Sequence, residues 1–247
     1  MKFIKHILYK IFGLESYLKI VSRAYISYMR FGFGKKKYPE LHYLKDIIKE
    51  GDICIDIGAN MGYYSFFMSE YCGSNGRVYA VEPVPLFVEI WKKNVSRTNI
   101  NNATMFQYAL GSEDKNVRMG MPVIDGVVHH GMTKVVSDED IFYEKFFNAQ
   151  MVVPDELFKD IEKVDFIKVD IEGYEHVVFD NMRKTLSKHK PLIQCELSGN
   201  ENRKQVIKIL QELGYKPYIH EDRQLINISE EEIETYEGDF YFKTENN

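Results

Sequence analysis

The stretch Ile53-Cys-Ile-Asp-Ile-Gly-Ala-Asn-Met-Gly62 has the pattern of a buried strand that ends in a tight glycine turn and opens into a helix. A second strand-like segment ends further along at Val81-Glu82-Pro83, with an acidic side chain. Ligands of open α/β sheets bind outside the carboxyl ends of the strands. A carboxylate about twenty residues beyond a glycine turn is placed to accept hydrogen bonds from a ribose. The two segments together predict a site for a nucleoside-containing cofactor.

Strand-like and helix-like segments alternate along most of the chain. The predicted strands are 53–57, 77–81, 104–109, 164–170, 191–197, 215–219 and 239–243, and the predicted helices are 62–71, 85–98, 174–188 and 201–213. The acidic stretch 220–238 is predicted to be a loop, so the last two strands pair antiparallel. Alternation of this kind indicates a mostly parallel sheet with helices on both faces. This α/β pattern resembles class I methyltransferases, whose Rossmann-like, seven-stranded sheet has the order 3-2-1-4-5-7-6.

Two segments interrupt the alternation and define the predicted domain organisation. Residues 1–37 form an N-terminal helical extension that ends in a linker rich in glycine and lysine, and residues 38–247 form the main domain. Residues 112–153 contain short strand-like pieces and the pair His129-His130. We expect this second segment to be an insertion that covers the sheet edge and contacts the substrate.

The N-terminal extension differs in charge from the rest of the chain. Residues 1–37 contain nine basic side chains and a single acidic one, Glu15, although the whole chain has a formal net charge of −5. Apolar residues recur in it at helical spacing: Ile4, Ile7, Leu8, Ile11, Leu14, Leu18, Val21 and Tyr25. A basic amphipathic helix either contacts an anionic membrane or a partner, or packs on the domain as a lid with its lysines in water. The sequence leaves both alternatives open.

The glycine turn can be compared with three nucleotide-binding fingerprints. The dinucleotide pattern G-x-G-x-x-G fails because Asn60 and Tyr63 occupy two of the three glycine positions. A phosphate-binding P-loop fails because no lysine follows Gly62. The remaining pattern, Asp56-x-Gly58-x-Asn60-x-Gly62, resembles the loop that binds S-adenosylmethionine (SAM). Glycines let the methionine end of that ligand lie directly against backbone.

Four segments resemble the FkbM family of SAM-dependent methyltransferases. They are Ile55-Asp-Ile-Gly-Ala-Asn-Met-Gly-Tyr-Tyr-Ser65, Val81-Glu-Pro83, Ala109-Leu-Gly111 and Phe166-Ile-Lys-Val-Asp-Ile-Glu-Gly-Tyr-Glu175. The resemblance covers about residues 50–198 and implies methyl transfer to an oxygen, typically a hydroxyl of a sugar, glycolipid or secondary metabolite. The candidate cofactor-binding residues are Asp56, Gly58, Ala59, Asn60, Gly62, Tyr63, Glu82, Pro83, Ala109, Leu110 and Asp170.

The candidate catalytic residues follow the fourth and fifth predicted strands of the sheet or lie in the insertion. An alcohol is a weak nucleophile until a base within hydrogen-bond reach takes its proton. Glu172 is the preferred base, with Asp170 orienting cofactor or acceptor, since two close carboxylates raise the pKa of one of them. The alternative is that both cap the next helix. His129 and His130 are further candidates because imidazole titrates near neutrality, and Glu196 is placed to position a sugar hydroxyl.

The remaining features limit the classes of protein to which the chain can belong. No fixed-spacing ligand motif supports a metal, although Asp170, Glu172 or Glu196 with a histidine would suit magnesium or calcium. The negative charge argues against nucleic acid as the partner. The three cysteines lack CxxC spacing, and the chain has neither a run of about eighteen apolar residues nor a signal-peptide core. We therefore expect a cytoplasmic enzyme acting on a small molecule or glycan, with a peripheral contact with an anionic membrane through residues 1–37 left open. The alternatives are a non-catalytic SAM-binding scaffold and, less favoured, a nicotinamide-dependent oxidoreductase.

Overall fold

The computed structural model describes residues 2–124, 127–128, 133–136 and 143–245. In chain order the strands are β1 (Ile53–Ile57), β2 (Arg77–Val81), β3 (Ala103–Phe106), β4 (Ala109–Leu110), β5 (Lys115–Ile124), β6 (Val127–Val128), β7 (Lys134–Val136), β8 (Tyr143–Val152), β9 (Phe166–Val169), β10 (Leu192–Glu196), β11 (Lys216–Glu221), β12 (Gln224–Asn227) and β13 (Asp239–Lys243). The helices are α1 (Lys2–Arg30), α2 (Pro39–Ile47), α3 (Tyr63–Cys72), α4 (Pro85–Val95), α5 (Pro154–Leu157), α6 (Glu175–Asp180), α7 (Arg183–His189), α8 (Asn200–Glu212) and α9 (Glu230–Thr235).

The central sheet has the order β12-β11-β13-β10-β9-β1-β2-β3. Strands β3, β2, β1, β9 and β10 run parallel to their neighbours, and β13 pairs antiparallel with both β10 and β11. The seven predicted strands therefore stand in the order 3-2-1-4-5-7-6, and the class I methyltransferase architecture is confirmed. Because β1 lies between β9 and β2, its carboxyl end is at the topological switch point, where ligands of such sheets bind.

The sheet has one strand more than the seven that the sequence predicts. Strand β12 pairs antiparallel with β11 through a two-residue turn, Asp222-Arg223, whose φ angles are 46° and 65°. Both residues adopt the left-handed conformation of a tight hairpin turn, although such turns favour asparagine and glycine. Helix α9 follows, and Ser229 and Glu232 cap it reciprocally. The prediction of a loop over residues 220–238 is therefore wrong for the residues of β12 and α9.

Helices cover both faces of the sheet because alternate residues of each buried strand face opposite sides. Cys54 packs in a cluster with residues of α1, α2 and α3, whereas Ile55 and Ile57 pack with residues of α6, α7 and α8. The single helix predicted over 174–188 is instead two helices, α6 and α7. The side-chain amide of Asn181 donates to the carbonyl oxygen of Val177 at 2.8 Å where α6 ends. The three cysteines are buried and free of disulfides.

The region between β3 and β9 forms a second, smaller sheet. Strands β5 and β8 pair antiparallel along most of their length, β4 pairs parallel with β8, and β6 and β7 pair with β5. Pairing between two ten-residue strands explains the short strand-like pieces that the sequence contains here. The predicted insertion 112–153 thus has its own regular structure over its described part.

Helix α1 contacts both α3 and α4. Gly13 interrupts it with non-helical angles, φ 70° and ψ 169°. Beyond that break Leu18, Ile26 and Met29 are buried against the domain. This side of α1 thus packs on the domain, as the alternative of a lid predicts. None of the helices in the described ranges is long and apolar enough to cross a membrane.

Candidate active site

A cleft of about 360 Å³ lies at the carboxyl ends of the parallel strands. It is lined by residues at the ends of β1, β2, β9 and β10 and by residues of the second sheet. Every candidate cofactor residue named from the sequence, including Asp170, lines it except Gly62, and so do Glu172 and Glu196. His129 and His130 lie outside the described residues.

The turn after β1 is fixed by contacts within the protein. The amides of Gly58 and Ala59 both donate to the carbonyl oxygen of Val81 at 3.0 Å, which ties the turn to β2. Gly58 has φ 78°, and a Cβ atom there would lie 1.9 Å from the carbonyl oxygen of Asp170. A Cβ at Gly62 would lie 2.9 Å from Trp91 on α4. Both glycines are therefore required by internal contacts, a reason that the sequence analysis did not identify.

Glu82 is buried at the end of β2 and holds the turn by two hydrogen bonds. Its Oε2 accepts from the amide of Asn60 and its Oε1 from the amide of Val84, both at 2.9 Å. Burial raises the pKa of Glu82 to about 7, although these amides act in the opposite direction. Each carboxylate oxygen accepts one backbone amide and has a further lone pair. The side chain can therefore accept from two neighbouring hydroxyls as well.

Asp56 joins the end of β1 to two helices. Its Oδ2 accepts from the hydroxyl of Ser65 on α3, and that hydroxyl accepts from the indole N–H of Trp91 at 2.7 Å. Burial raises the pKa of Asp56 to about 6. The carboxylate lines the cleft, so it combines a structural role with the position expected for a cofactor contact.

Lys168 is a buried cation in the middle of β9. Its Nζ lies 3.5 Å from Asp239 and 3.8 Å from Asp170, and 5.0 Å from the centre of the Tyr64 ring. Burial by itself lowers the pKa of Lys168, but the carboxylates of Asp239 and Asp170 outweigh it and raise the pKa. The side-chain amide of Gln194 also donates to Asp239. Lys168 therefore holds Asp170 at the cleft floor.

Three carboxyl groups converge at the ends of β9 and β10. Glu172 is half-buried and has φ 57°, a left-handed conformation that is uncommon outside glycine. Burial, and then the charges of Asp170 and Glu196, raise its pKa to about 7. Burial and Asp170 likewise raise the pKa of Glu196. At neutral pH Glu172 is thus poised between its acid and its base form.

The side chain of Glu175 holds the loop that carries Glu172 by hydrogen bonds. Its Oε1 accepts from the amides of Ile171 at 3.2 Å and Gly173 at 3.1 Å. Its Oε2 accepts from the side-chain amide of Asn202 at 2.7 Å. Glu175 is buried, so these bonds fix the loop on both sides of Glu172.

Sequence reasoning missed several residues of the cleft. In the sequence Lys168 lies inside an apolar strand, and a lysine in such a position predicts a buried ion pair. Tyr108 and Lys134 lie outside the quoted motifs, Tyr174 lies in one of them without an assigned role, and the position of all three depends on the second sheet and the loops around it. Tyr64 and Phe87 line the cleft and also pack in the core. Within the described ranges no group of three or more His, Cys, Asp or Glu is arranged to hold a metal ion.

The chain is similar to known methyltransferases. The family described as "Methyltransferase FkbM domain" matches residues 56–217. Protein-L-isoaspartate O-methyltransferase of Methanococcoides burtonii is 38% identical over 58 residues, which are 24% of this chain and 29% of that protein. A tRNA (adenine(57)-N(1)/adenine(58)-N(1))-methyltransferase of Methanocaldococcus jannaschii is 26% identical over 193 residues, 77% of this chain and 58% of that protein. The chain thus spans less than two thirds of either relative.

Solved structures of two methyltransferases are among those that superpose on this chain. Methyltransferase FkbM from Methylobacillus flagellatus superposes with a TM-score of 0.48 at 16% identity, over 82% of this chain and 50% of that one. A SAM-dependent O-methyltransferase from Thermotoga maritima superposes with a TM-score of 0.44 at 16% identity, over 83% of this chain and 65% of that one.

Proposed function

Because the chain belongs to the FkbM methyltransferase family, we propose that it transfers a methyl group from SAM to a hydroxyl oxygen of an uncharged small molecule or glycan. The observation that carries the proposal is the carboxyl group of Glu172. It faces the cleft beside Asp170 and Glu196, and burial raises its pKa to about 7.

The residues at the β1 and β2 end of the cleft fit the cofactor. Glu82 has unshared lone pairs on both oxygens and would accept from the two ribose hydroxyls, and residues 58–60 of the turn line the cleft beside them. A cleft of about 360 Å³ is within the usual range for small-molecule sites. Ala109 and Leu110 supply an apolar wall for the adenine.

The charge of the cleft favours a cationic donor. SAM supplies a methyl group bound to a positively charged sulfur. The carboxyl groups of Asp170, Glu172 and Glu196 outnumber the cations Lys134 and Lys168 among the lining residues. An acidic cleft stabilises a sulfonium more than the neutral thioether that remains after transfer, so it favours binding of the donor and release of the product.

Glu172 takes the proton of the acceptor hydroxyl. A general base works best when its pKa is near the working pH, and a carboxylate with a pKa of about 7 meets this condition. Lys168 and Glu175 keep the surrounding loop in place, one through Asp170 and the other through backbone amides. Positioning of this kind supplies much of the rate of a displacement reaction.

The same charges select the acceptor. The name of the isoaspartate methyltransferase relatives implies a carboxylate acceptor. In this cleft such a carboxylate would lie close to Asp170, Glu172 and Glu196. Like charges oppose such binding, and a carboxylate needs no base to become nucleophilic. A neutral hydroxyl both avoids the repulsion and requires the base. The isoaspartate match covers only 24% of this chain, so it does not extend to the whole cleft.

The test is a methyl-transfer assay with the full chain and isotopically labelled SAM. Two acceptor panels are compared, one of neutral sugars, glycolipids and alcohols and one of carboxylic acids and isoaspartyl peptides. We expect product only from the first panel, with Glu172→Gln lowering the rate and Glu201→Gln, an exposed glutamate on α8, leaving it unchanged. Methylation restricted to the carboxyl panel, or a Glu172→Gln enzyme with full activity, would contradict the proposal.

A further inference from the structure

An exposed apolar stripe runs along the outer face of α1 and into the turn that follows it. Among the described residues, four of the five large hydrophobic side chains with high exposure lie between residues 20 and 33. Ile20 is 47% exposed, Tyr28 48%, Phe31 80% and Phe33 58%. The ring of Phe33 stacks on that of Tyr28 with 5.3 Å between centroids. Exposed apolar groups concentrated in this way mark an interaction surface.

Helical spacing places this stripe opposite the packed side of α1. Residues 20, 24, 28 and 31 are spaced by four, four and three, so they share one face. Leu18, Ile26 and Met29 are buried on the other side. The apolar pattern of this helix therefore serves two surfaces, and only one of them is covered by the domain.

A basic pocket flanks the stripe. A cavity of about 280 Å³ between α1 and α4 is lined by Lys19, Arg23, Ile90, Lys93, Asn94 and Arg97. Nη1 of Arg97 is buried and has no hydrogen-bond partner among the described residues, while its Nη2 donates to the hydroxyl of Ser27 at 3.0 Å. Two nearby cations have acidic partners, since Lys19 pairs with Glu15, and Arg30 pairs with Glu70 at 2.7 Å.

The electrostatics of this pocket are those of an anion site. Burial, followed by the charges of Arg23 and Arg30, lowers the pKa of Arg97, although Glu70 acts in the opposite direction. A bound anion would relieve this repulsion and satisfy the free guanidinium nitrogen, since phosphate oxygens accept such bonds well. Arg23 and Arg30 lie on the flank of α1 between its packed face and its apolar stripe, and Lys35, Lys36 and Lys37 lie at the end of the turn 31–37 that follows the helix.

We propose that the outer face of α1, together with the turn 31–37, docks on an anionic phospholipid membrane, with the aromatic stripe in the interface and a lipid phosphate in the basic pocket. Apolar and aromatic groups flanked by cations are the pattern of helices that lie in the plane of a membrane. Clustered lysines add attraction to anionic headgroups. A second copy of the chain is disfavoured, because a two-fold contact would bring this basic surface against itself.

The test is co-sedimentation of the full chain with vesicles, which is independent of methyl transfer. We expect pelleting with vesicles of phosphatidylcholine and phosphatidylglycerol at 7:3, and little with phosphatidylcholine alone. Each lysine near the surface contributes about fivefold to binding, so K35Q/K36Q/K37Q should bind about 100-fold more weakly. F31S/F33S should bind about 100-fold more weakly, because two apolar side chains are lost. R23Q/K93Q should bind about 25-fold more weakly, and added salt should weaken the binding of the wild type.

Matched variants on other surfaces serve as controls. I226S removes the remaining exposed large apolar side chain of the described residues, on β12, and K159Q/K204Q/K208Q removes three exposed lysines elsewhere. Point variants are used because deleting α1 would remove buried Leu18 and Ile26. Equal binding to neutral and anionic vesicles, equal losses in the control variants, or a dimer in light scattering that F31S/F33S abolishes would overturn the proposal.

Discussion

Gly58 and Asp170 touch through their backbones, since a Cβ atom on Gly58 would lie only 1.9 Å from the carbonyl oxygen of Asp170. Gly58 follows β1 and Asp170 follows β9, so the contact joins the turn beside Glu82 to the loop that carries Glu172. The two ends of the cleft are therefore one packed unit. A change at Gly58 must displace backbone rather than a flexible side chain.

Gly58→Ala is expected to destabilise the protein by about 3–5 kcal/mol, through a steric clash added to an unfavourable φ. Gly214→Ala is the matched control, because Gly214 has φ 85° but nothing within 4 Å of an added Cβ. That control should lose only about 1–2 kcal/mol. Urea unfolding of both variants measures the difference, and equal losses would show that the contact is unimportant.

Glu82→Ala is expected to weaken SAM binding about 100-fold, because hydrogen bonds to a charged acceptor contribute about 1.5–3 kcal/mol each. Isothermal titration calorimetry with SAM measures the change, and thermal melting verifies that the variant is folded. Glu89→Ala on α4 is the control, since Glu89 is exposed and pairs with Lys92 at the surface. Unchanged affinity in Glu82→Ala would exclude Glu82 from the ribose site.

The stability of the SAM-free protein should depend on pH through Glu82. Folding raises the pKa of Glu82 to about 7 by burial, from about 4.3 in an unfolded chain. The folded state thus binds the proton more tightly, so the contribution of Glu82 to stability is present below about pH 4 and is lost as pH rises through 7. Between pH 5 and 8 the wild type should lose about 2 kcal/mol relative to Glu82→Gln. Urea unfolding of both proteins at the two pH values tests this, and a constant difference would contradict it.

The rate of methyl transfer should rise with pH as Glu172 loses its proton, with a half-maximal rate near pH 7, where burial places its pKa. Glu172→Gln should lower the rate about 10²–10⁴-fold and abolish this rise, because a general base contributes about that much. Its affinity for SAM should be retained, which separates loss of the base from loss of the cofactor site. A variant with the same pH profile as the wild type would assign the base elsewhere, and His129 and His130 then stand as the predicted candidates.

The parts of the site that sequence predicted are those carried by contiguous residues. Asp56 and Glu82 were placed at strand ends because a buried run followed by a turn predicts its own carboxyl end. The departures at Asn60 and Tyr63 from the dinucleotide pattern pointed to SAM rather than a dinucleotide. The structure adds that Asn60 adopts φ 48° and donates its amide to Glu82, so this residue ties the turn after β1 to the end of β2.

The parts that sequence missed depend on partners far apart in the chain. Glu175 belongs to the quoted motif, but its role depends on Asn202 of α8 and on the amides of its own loop. Lys168 is explained by Asp239 on the last strand. The apolar residues of α1 predict a helix, yet which of them are covered depends on where α3 and α4 lie.

The sequence by itself determined the seven main strands of the central sheet, the glycine turn after the first of them and the family, because local periodicity and short motifs act over neighbouring residues. Only the tertiary structure decided why Gly58 has no side chain, how Lys168 is neutralised and which face of α1 remains exposed. Those properties arise from burial and from charges brought together by the sheet. The pKa of Glu172 is of the same kind, since it depends on Glu196 from a different strand as well as on its own neighbour Asp170.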